Sequence, residues 1–384
     1  MPEATMNVTA RARRLAAPVV RPLRRAYVAS RTRAWQPHSH LFIAQEGADW
    51  VLAYEARQLE KLAAGLGIPV GPERWVNAVA GQAIFHESQF TLLLDDFDAR
   101  GNRLGFAYFH GRPGTAGFPE FDVCYRRLTQ RHAEIDGVQV TNRAMESLVL
   151  ETGIAAEKVH RIPIGIDPVA FPLRTDDVKA RARRELGLPD TAFVVGSFQK
   201  DGVGWGEGLE PKLIKGPDVL VAAACGLREH VPDLWFLLTG PSRGYVKAGL
   251  ERAGIPYRHH YLPSLESVAR AYEAIDLCIV ASRDEGGPRA VLESMAIGVP
   301  LVTTRVGQAA DLVRHEENGW LVEVEDVDAI VGWGRHVAEA PRETIEQVLA
   351  AGRRTAEENS YGALRPRWRS LLEGLVTVPD AGAV

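Results

Sequence analysis

Short, wholly apolar runs alternate with helix-patterned segments along almost the whole chain, and this alternation limits the folds open to it. "LWFLLTG" (234–240), "DLCIVAS" (276–282) and "PLVTT" (300–304) show no polar alternation. A strand of that kind is buried on both faces, which is the condition of a parallel sheet covered by helices on each side. Between these runs lie segments of helical spacing such as "VLAYEARQLEKLAAGLG" (51–67), "GPDVLVAAACGLREH" (216–230), "SLESVARAYEAI" (264–275) and "PRAVLESMAIG" (288–298). "HLFIAQEGADW", "GQAIFHESQF", "LGFAYFHG", "VHRIPIGIDPVAF" and "AFVVGSFQK" add further strands, and "VQVTNRAMESLVLETG" reads as strand, Thr/Asn cap and helix. The prediction is an α/β chain with doubly wound parallel sheets. At 384 residues it exceeds one ordinary core, so two such units are expected.

Composition narrows the function. Hydrophobic residues make up 46% and charged residues 24%, as in a soluble globular protein. The net charge of −4 gives no overall attraction to nucleic acid. It conceals an asymmetry, since residues 1–36 hold eight arginines against one acid, Glu3, and carry +7, which leaves −11 on the rest. That arm has three readings: a solvated terminus, an organelle transit peptide, or a contact with an anionic membrane surface. Val8, Ala12, Leu15 and Val19 recur at helical spacing in it, with Pro18 and Pro22 interrupting any long helix. Cys124, Cys225 and Cys278 are far apart with no CxxC pair, which argues against disulfides and a zinc site and for a reducing, cytoplasmic setting. No apolar run reaches the ~18 residues of a membrane span.

The chemistry concentrates in "SRDEGGPRAVLESMAIGVPLVTT" (282–304), where Glu285 sits in a glycine-rich turn and Glu293 lies a turn or so into the next helix. Residues following a central parallel strand face the crevice where open α/β sheets bind ligands. Gly286 and Gly287 permit close backbone approach, and Pro288 suits the first helical turn. A helix N-terminus favours phosphate, and carboxylates accept from sugar hydroxyls. A ligand bearing both, such as a nucleotide sugar, fits the pattern. Acids that merely stabilise a helix start would give the same spacing.

"EGGPRAVLE" resembles the E-x7-E motif of the retaining glycosyltransferases of family four, which have the GT-B fold. "DLCIVAS" before it, "SMAIGVPLVTTRVGQAADLV" and "ENGWLV" after it, "KGPDVLVAA" and the passage from Val140 to Phe171 are also similar to that family. The likeness spans residues 138–324 and is weak before residue 100. It implies two Rossmann-like domains facing a cleft: a basic arm (1–36), an acceptor-side domain (37–172), a nucleotide-sugar-binding domain (173–355), and a C-terminal helix (356–384) returning to the first domain. It further implies that Glu285 holds donor-sugar hydroxyls, Glu293 the ribose, and the backbone around Gly286 and Gly287 sugar or phosphate oxygens. Lys215 would meet the diphosphate, His110 in "AYFHGRPG" would stand beside the donor sugar, and Gly47 in "AQEGADW" would form the glycine loop. His86 competes with His110. The family's Gly-Arg is Gly196-Ser197 here, so Ser197 stands where an arginine grips the diphosphate, and Lys200 and Lys212 are candidate replacements.

No metal, haem, flavin or nicotinamide cofactor is expected. "DDFD" (95–98) reads as a hairpin end before the "ARGN" turn rather than a metal motif, and His38/His40 and His259/His260 lack a third ligand. The long insert "GVGWGEGLEP" (202–211) is expected to cover the donor. The resemblance implies transfer, with retention, of a hexose-type sugar from a nucleotide-diphosphate donor to a saccharide, glycolipid or lipid-linked acceptor. The alternatives are an epimerase or phosphorylase on the same fold, or a non-catalytic nucleotide-sugar-binding protein.

Overall fold

The computed structural model describes residues 21–45, 51–94, 100–262 and 264–377. Gly47, Asp95–Asp98 and residues 1–20 of the basic arm therefore lie outside the described residues. Residues 21–32 are helical (α1), with Val28 buried and Leu23 and Tyr27 exposed.

The first domain holds β1 (Leu41–Ala44), α2 (Val51–Gly65), β2 (Ala83–His86), β3 (Arg103–Tyr108), α3 (Pro119–Arg131), β4 (Gly137–Val140), α4 (Arg143–Leu150) and β5 (Val159–Arg161). Its five strands lie in the order β1-β2-β3-β4-β5, all parallel. An isolated parallel bridge, Leu41 to Val70, adds a single pairing outside β1. The chain therefore runs from β1 outward to Val70, then back past β1 to β2 and onward. Right-handed crossovers place α2 on one face and α3 and α4 on the other, and the direction reverses beside β1 and β2. The buried residues agree: Ala56, Leu59 and Ala63 of α2 pack with Leu41, Ile43 and Phe85, while Cys124, Leu128, Met145 and Val149 pack with Phe42, Ile84 and Phe106. Because β2 and β3 are parallel, the hairpin expected around the "ARGN" turn is corrected. The connection is a crossover containing a 3-10 turn, Gln89–Leu93.

The second domain comprises α5 (Asp176–Glu185), β6 (Phe193–Phe198), α6 (Pro217–His230), β7 (Leu234–Thr239), α7 (Gly244–Arg252), β8 (Tyr257–His260), α8 (Leu265–Ala274), β9 (Leu277–Val280), α9 (Arg289–Ile297), β10 (Leu301–Thr304), α10 (Ala309–Leu312), β11 (Trp320–Val322), α11 (Val327–Glu339) and α12 (Arg342–Glu358). The strand order β11-β10-β9-β6-β7-β8 is the dinucleotide-fold order, with its reversal between β6 and β9. All four residues of β9 are buried, which is why that strand carries no polar alternation. A last helix, α13 (Arg365–Leu375), lies on β3, β4 and β5 of the first sheet. Its Leu371, Leu372 and Leu375 are fully buried, and Trp368 meets Phe85 edge-on at 5.7 Å.

Candidate functional site

The reversal between β6 and β9 opens a crevice at their C-terminal ends, and the candidate residues of the second domain gather there. Gln199 and Lys200 follow β6, Lys215 precedes α6, and Ser282 to Glu285 follow β9. Two devices hold these loops together. Gly216 has φ of +63°, and a Cβ on it would lie 1.9 Å from the Ala281 carbonyl oxygen, so only glycine lets the start of α6 approach the end of β9. Arg283 reaches back with a bidentate pair to Asp218 (2.8 and 2.7 Å) and a bond to the Leu213 carbonyl (2.7 Å).

Within this frame Lys215 Nζ forms an ion pair with Glu285 Oε1, which also accepts from Ser282 Oγ at 3.1 Å. Gln199 Nε2 donates to the Lys215 carbonyl at 2.9 Å. His110 faces the pair from the end of β3. Its Nδ1 is buried with no hydrogen-bond partner among the described residues, and its ring meets Phe121 edge-on at 5.4 Å. Burial and then the Lys215 cation, with Lys212 adding to it and Glu285 opposing, push its pKa down to about 4. His110 is therefore neutral at pH 7, and its ring offers hydrogen-bonding nitrogens but no charge. His86 is likewise pushed down to about 4 by burial, but its Nδ1 meets Thr91 Oγ1 at 3.0 Å, away from the Lys215–Glu285 pair. Lys212 is lowered by burial and by Lys215, with Lys200 also contributing, so three lysines share one field beside Glu285. Lys200 Nζ lies 4.2 Å from the ring centroid of Trp205.

The insert 202–211 is a small flap pinned to the turn after β7. Gly202 bridges Pro211, Ser242 Oγ donates to the carbonyls of Gly204 (3.1 Å) and Gly206 (3.0 Å), and Trp205 stays 64% exposed.

Several residues are placed differently from expectation. Ser197 is fully buried, with its hydroxyl accepting from Arg243 Nη2 at 3.0 Å and its carbonyl from Nη1 at 2.6 Å, so it does not face the crevice. Arg243 is itself fully buried, paired with Asp201 at 3.0 Å, and is spent on holding the β6 end and the turn after β7 together. Pro288 is the extended residue capping α9, not part of its first turn, which begins at Arg289. Gly286 and Gly287 do permit close approach, but what approaches is the first domain. A Cβ on Gly286 would lie 2.5 Å from the Phe109 carbonyl oxygen, and one on Gly287 2.8 Å from both Gln308 and Ile164. The Gly286 carbonyl accepts from Thr141 Oγ1 (2.6 Å) and Asn142 Nδ2 (3.2 Å), while Asn142 Oδ1 caps α4. Gln308 Oε1 accepts from the Ile164 amide at 2.9 Å. The glutamate-bearing loop is thus fixed from both sides of the cleft.

Glu293 is buried, with Oε2 accepting from Tyr272 at 3.0 Å and Oε1 from Arg289 Nε at 3.0 Å. Arg289 continues to Glu55 of α2 at 3.3 Å, and Tyr361 donates to Glu55 at 2.6 Å. Sequence reasoning missed Glu55, Arg289, Tyr272, Tyr361, Thr141 and Gln308. Arg289 alone carried a signal, its i,i+4 spacing to Glu293. Among the described residues, no group of three or more His, Cys, Asp or Glu side chains is placed to hold a metal ion, and no helix is long and apolar enough to cross a membrane.

Two facing parallel-sheet domains with the site between them make this the GT-B fold. UDP-glucose-bound HepE from Anabaena superposes with a TM-score of 0.69 at 18% identity, covering 87% of this chain and 99% of that one. Sucrose-phosphate synthase from Thermosynechococcus elongatus gives 0.68 at 19%, covering 88% and 99%. Residues 207–333, within the second domain, match the family model Glycosyl transferases group 1. A D-inositol 3-phosphate glycosyltransferase of Salinispora tropica is 32% identical over 197 residues, 46% of this chain and 38% of that one. Another, of Segniliparus rotundus, is 29% identical over 330 residues, 80% and 67% of the two chains. Over the first three such relatives, the matched stretch spans between 38% and 53% of their length.

Proposed function

We propose that this protein is a retaining glycosyltransferase that moves a hexose-type sugar from a nucleotide-diphosphate donor to an acceptor hydroxyl without a metal. The Lys215–Glu285 pair at the crevice of the second domain, faced by neutral His110 of the first, carries this reading. The donor's diphosphate enters between Lys215, Lys212 and Lys200 and displaces Glu285 from its ion pair. Glu285 then accepts from sugar hydroxyls, Glu293 from the ribose, and His110 meets the sugar from the opposite wall. As the C1–O bond to the diphosphate breaks, the lysines stabilise the charge that develops on the leaving oxygen. On this reading no carboxylate acts as a nucleophile on the sugar's other face. The acceptor oxygen therefore bonds to C1 on the departing side and its proton passes to the leaving phosphate oxygen, a front-face reaction with retention.

UDP-glucose is the first donor to test, since HepE binds it, and D-inositol 3-phosphate the first acceptor, from the relatives' name. A thermal-shift panel of UDP, GDP, ADP, dTDP and their glucose conjugates should show one base raising the midpoint, because binding stabilises by RT ln(1 + [L]/Kd). Proton NMR of the product should show the donor's anomeric configuration, and activity should survive EDTA. Inversion or loss in EDTA would overturn those parts of the reading. Donor turnover without any acceptor tells the enzyme from the non-catalytic binder that the missing arginine favours.

Lys200→Ala should weaken nucleoside-diphosphate binding by on the order of 1.5–3 kcal/mol if this lysine takes the arginine's place, as for hydrogen bonds to charged groups. Calorimetry decides, and an unchanged affinity returns Lys200 to its contact with Trp205.

The exposed arginines of α1, with Leu23 67% and Tyr27 56% exposed beside them, suit an anionic membrane surface that would present a glycolipid or lipid-linked acceptor. Full-length protein should co-sediment with anionic vesicles at low salt, and protein lacking residues 1–36 should not. No sedimentation of the full chain would point to a soluble saccharide acceptor.

A further inference from the structure

The donor reading uses Glu293 but leaves unexplained why its partner Arg289 also reaches into the other domain. Arg289 lies between two carboxylates, Glu293 at 3.0 Å on its own helix and Glu55 at 3.3 Å on α2. Tyr361, in the turn after α12, donates to the same Glu55 oxygen at 2.6 Å, and the Tyr54 ring lies 4.6 Å from the guanidinium carbon. All three charged side chains are less than 15% exposed. The planar guanidinium fork is the group best made to bridge two carboxylates. We infer that Glu55, Tyr361 and Arg289 form a latch across the cleft that positions Glu293, so that the first domain completes the nucleotide site of the second. This rests on the reading of Glu293 as the ribose-holding residue.

The latch is also a proton-linked contact. Burial pushes Glu55 up to about 7, with Arg289 and the Tyr361 hydroxyl opposing and Glu293 reinforcing the rise. Arg289 and Glu293 face it from α9, Tyr361 from the turn after α12, Tyr54 from its own helix, and Glu87 across a cavity that Leu59 and Trp368 also line. Burial outweighs the two latch contacts, so the folded protein prefers protonated Glu55, whose Oε1 can still accept from Tyr361 and Arg289. The stability linked to this protonation is complete below the ordinary value of 4.5 and is lost as pH rises through 7.

Two measurements test the latch. Glu55→Gln keeps an acceptor for Tyr361 and Arg289 but cannot ionise. Its thermal midpoint should equal that of the wild type at pH 5 and exceed it by a few °C at pH 8. In calorimetry with UDP, Glu55→Ala should bind on the order of tenfold more weakly while Glu55→Gln restores affinity, although residue 55 lies in the opposite domain. Superimposable pH–stability curves for wild type and Glu55→Gln, or unchanged UDP affinity in Glu55→Ala, would overturn it. Should the wild type bind no nucleotide of the panel, the donor reading fails, and the stability curves, which need no ligand, still decide the latch.

Discussion

Glu285→Gln should lower turnover by on the order of 10²–10³ while donor affinity stays within about threefold of wild type. The amide is isosteric and can still accept from Lys215 and Ser282, the two partners of Glu285 Oε1. What it loses is charge, and charge matters most when the sugar carbon becomes electron-poor between leaving group and acceptor. Glu293→Ala should do the reverse, weakening donor binding by about 1.5–3 kcal/mol, because bonds to ribose are made alike before and during the reaction. Steady-state kinetics joined to calorimetry separates them. Equal losses of turnover at unchanged donor affinity in both variants would dismiss the assignment of the two glutamates.

The largest stability effect should come from a position that touches no substrate. Gly216→Ala sets a Cβ 1.9 Å from the Ala281 carbonyl oxygen, far inside non-bonded contact, at a backbone angle that L-residues disfavour by about 1–2 kcal/mol. Both partners are backbone, so relief requires α6 to withdraw from the end of β9, carrying Lys215 away from Glu285. A loss on the order of 3–5 kcal/mol in denaturant unfolding is expected, together with loss of activity. Gly332→Ala is the control: it lies within α11 with nothing among the described residues inside 4 Å of a new Cβ, and should stabilise by about 0.5–1 kcal/mol. A Gly216→Ala variant as stable as wild type would mean that α6 and β9 are not in contact as described.

The fold was legible because its decisive signals are local. β9 announces itself as "LCIV", and Asn142 as a cap three residues before the amide it accepts from. Polar strands were harder: β8 is "YRHH", half-exposed at the sheet edge, and neither it nor α7 before it was foreseen. The hairpin expected between β2 and β3 failed because a turn tetrad says nothing of strand direction, which the crossover decides. The site divides along the same line. Glu285, Glu293 and Lys215 lie within motifs of contiguous sequence. The bond from Glu55 to Arg289 spans 234 residues and that from Tyr361 to Glu55 spans 306, and no spacing rule reaches so far. Ser197 was misplaced for a related reason, since its burial depends on Arg243, 46 residues away.

The position of α13 has a consequence for how the protein is made. The face of the first sheet formed by Phe85, Ile162 and Leu41 is covered in part by Trp368, Leu371, Leu372 and Leu375. Those residues leave the ribosome only after the whole second domain, about 200 residues beyond β5. At roughly 5–20 residues per second, the first domain waits about 10–40 s with the part of that face beneath α13 uncovered. The second domain, continuous in sequence from α5 to α12, meets no such delay. Nascent chains stalled before residue 365 should therefore hold a folded second domain beside a first domain that still recruits chaperones.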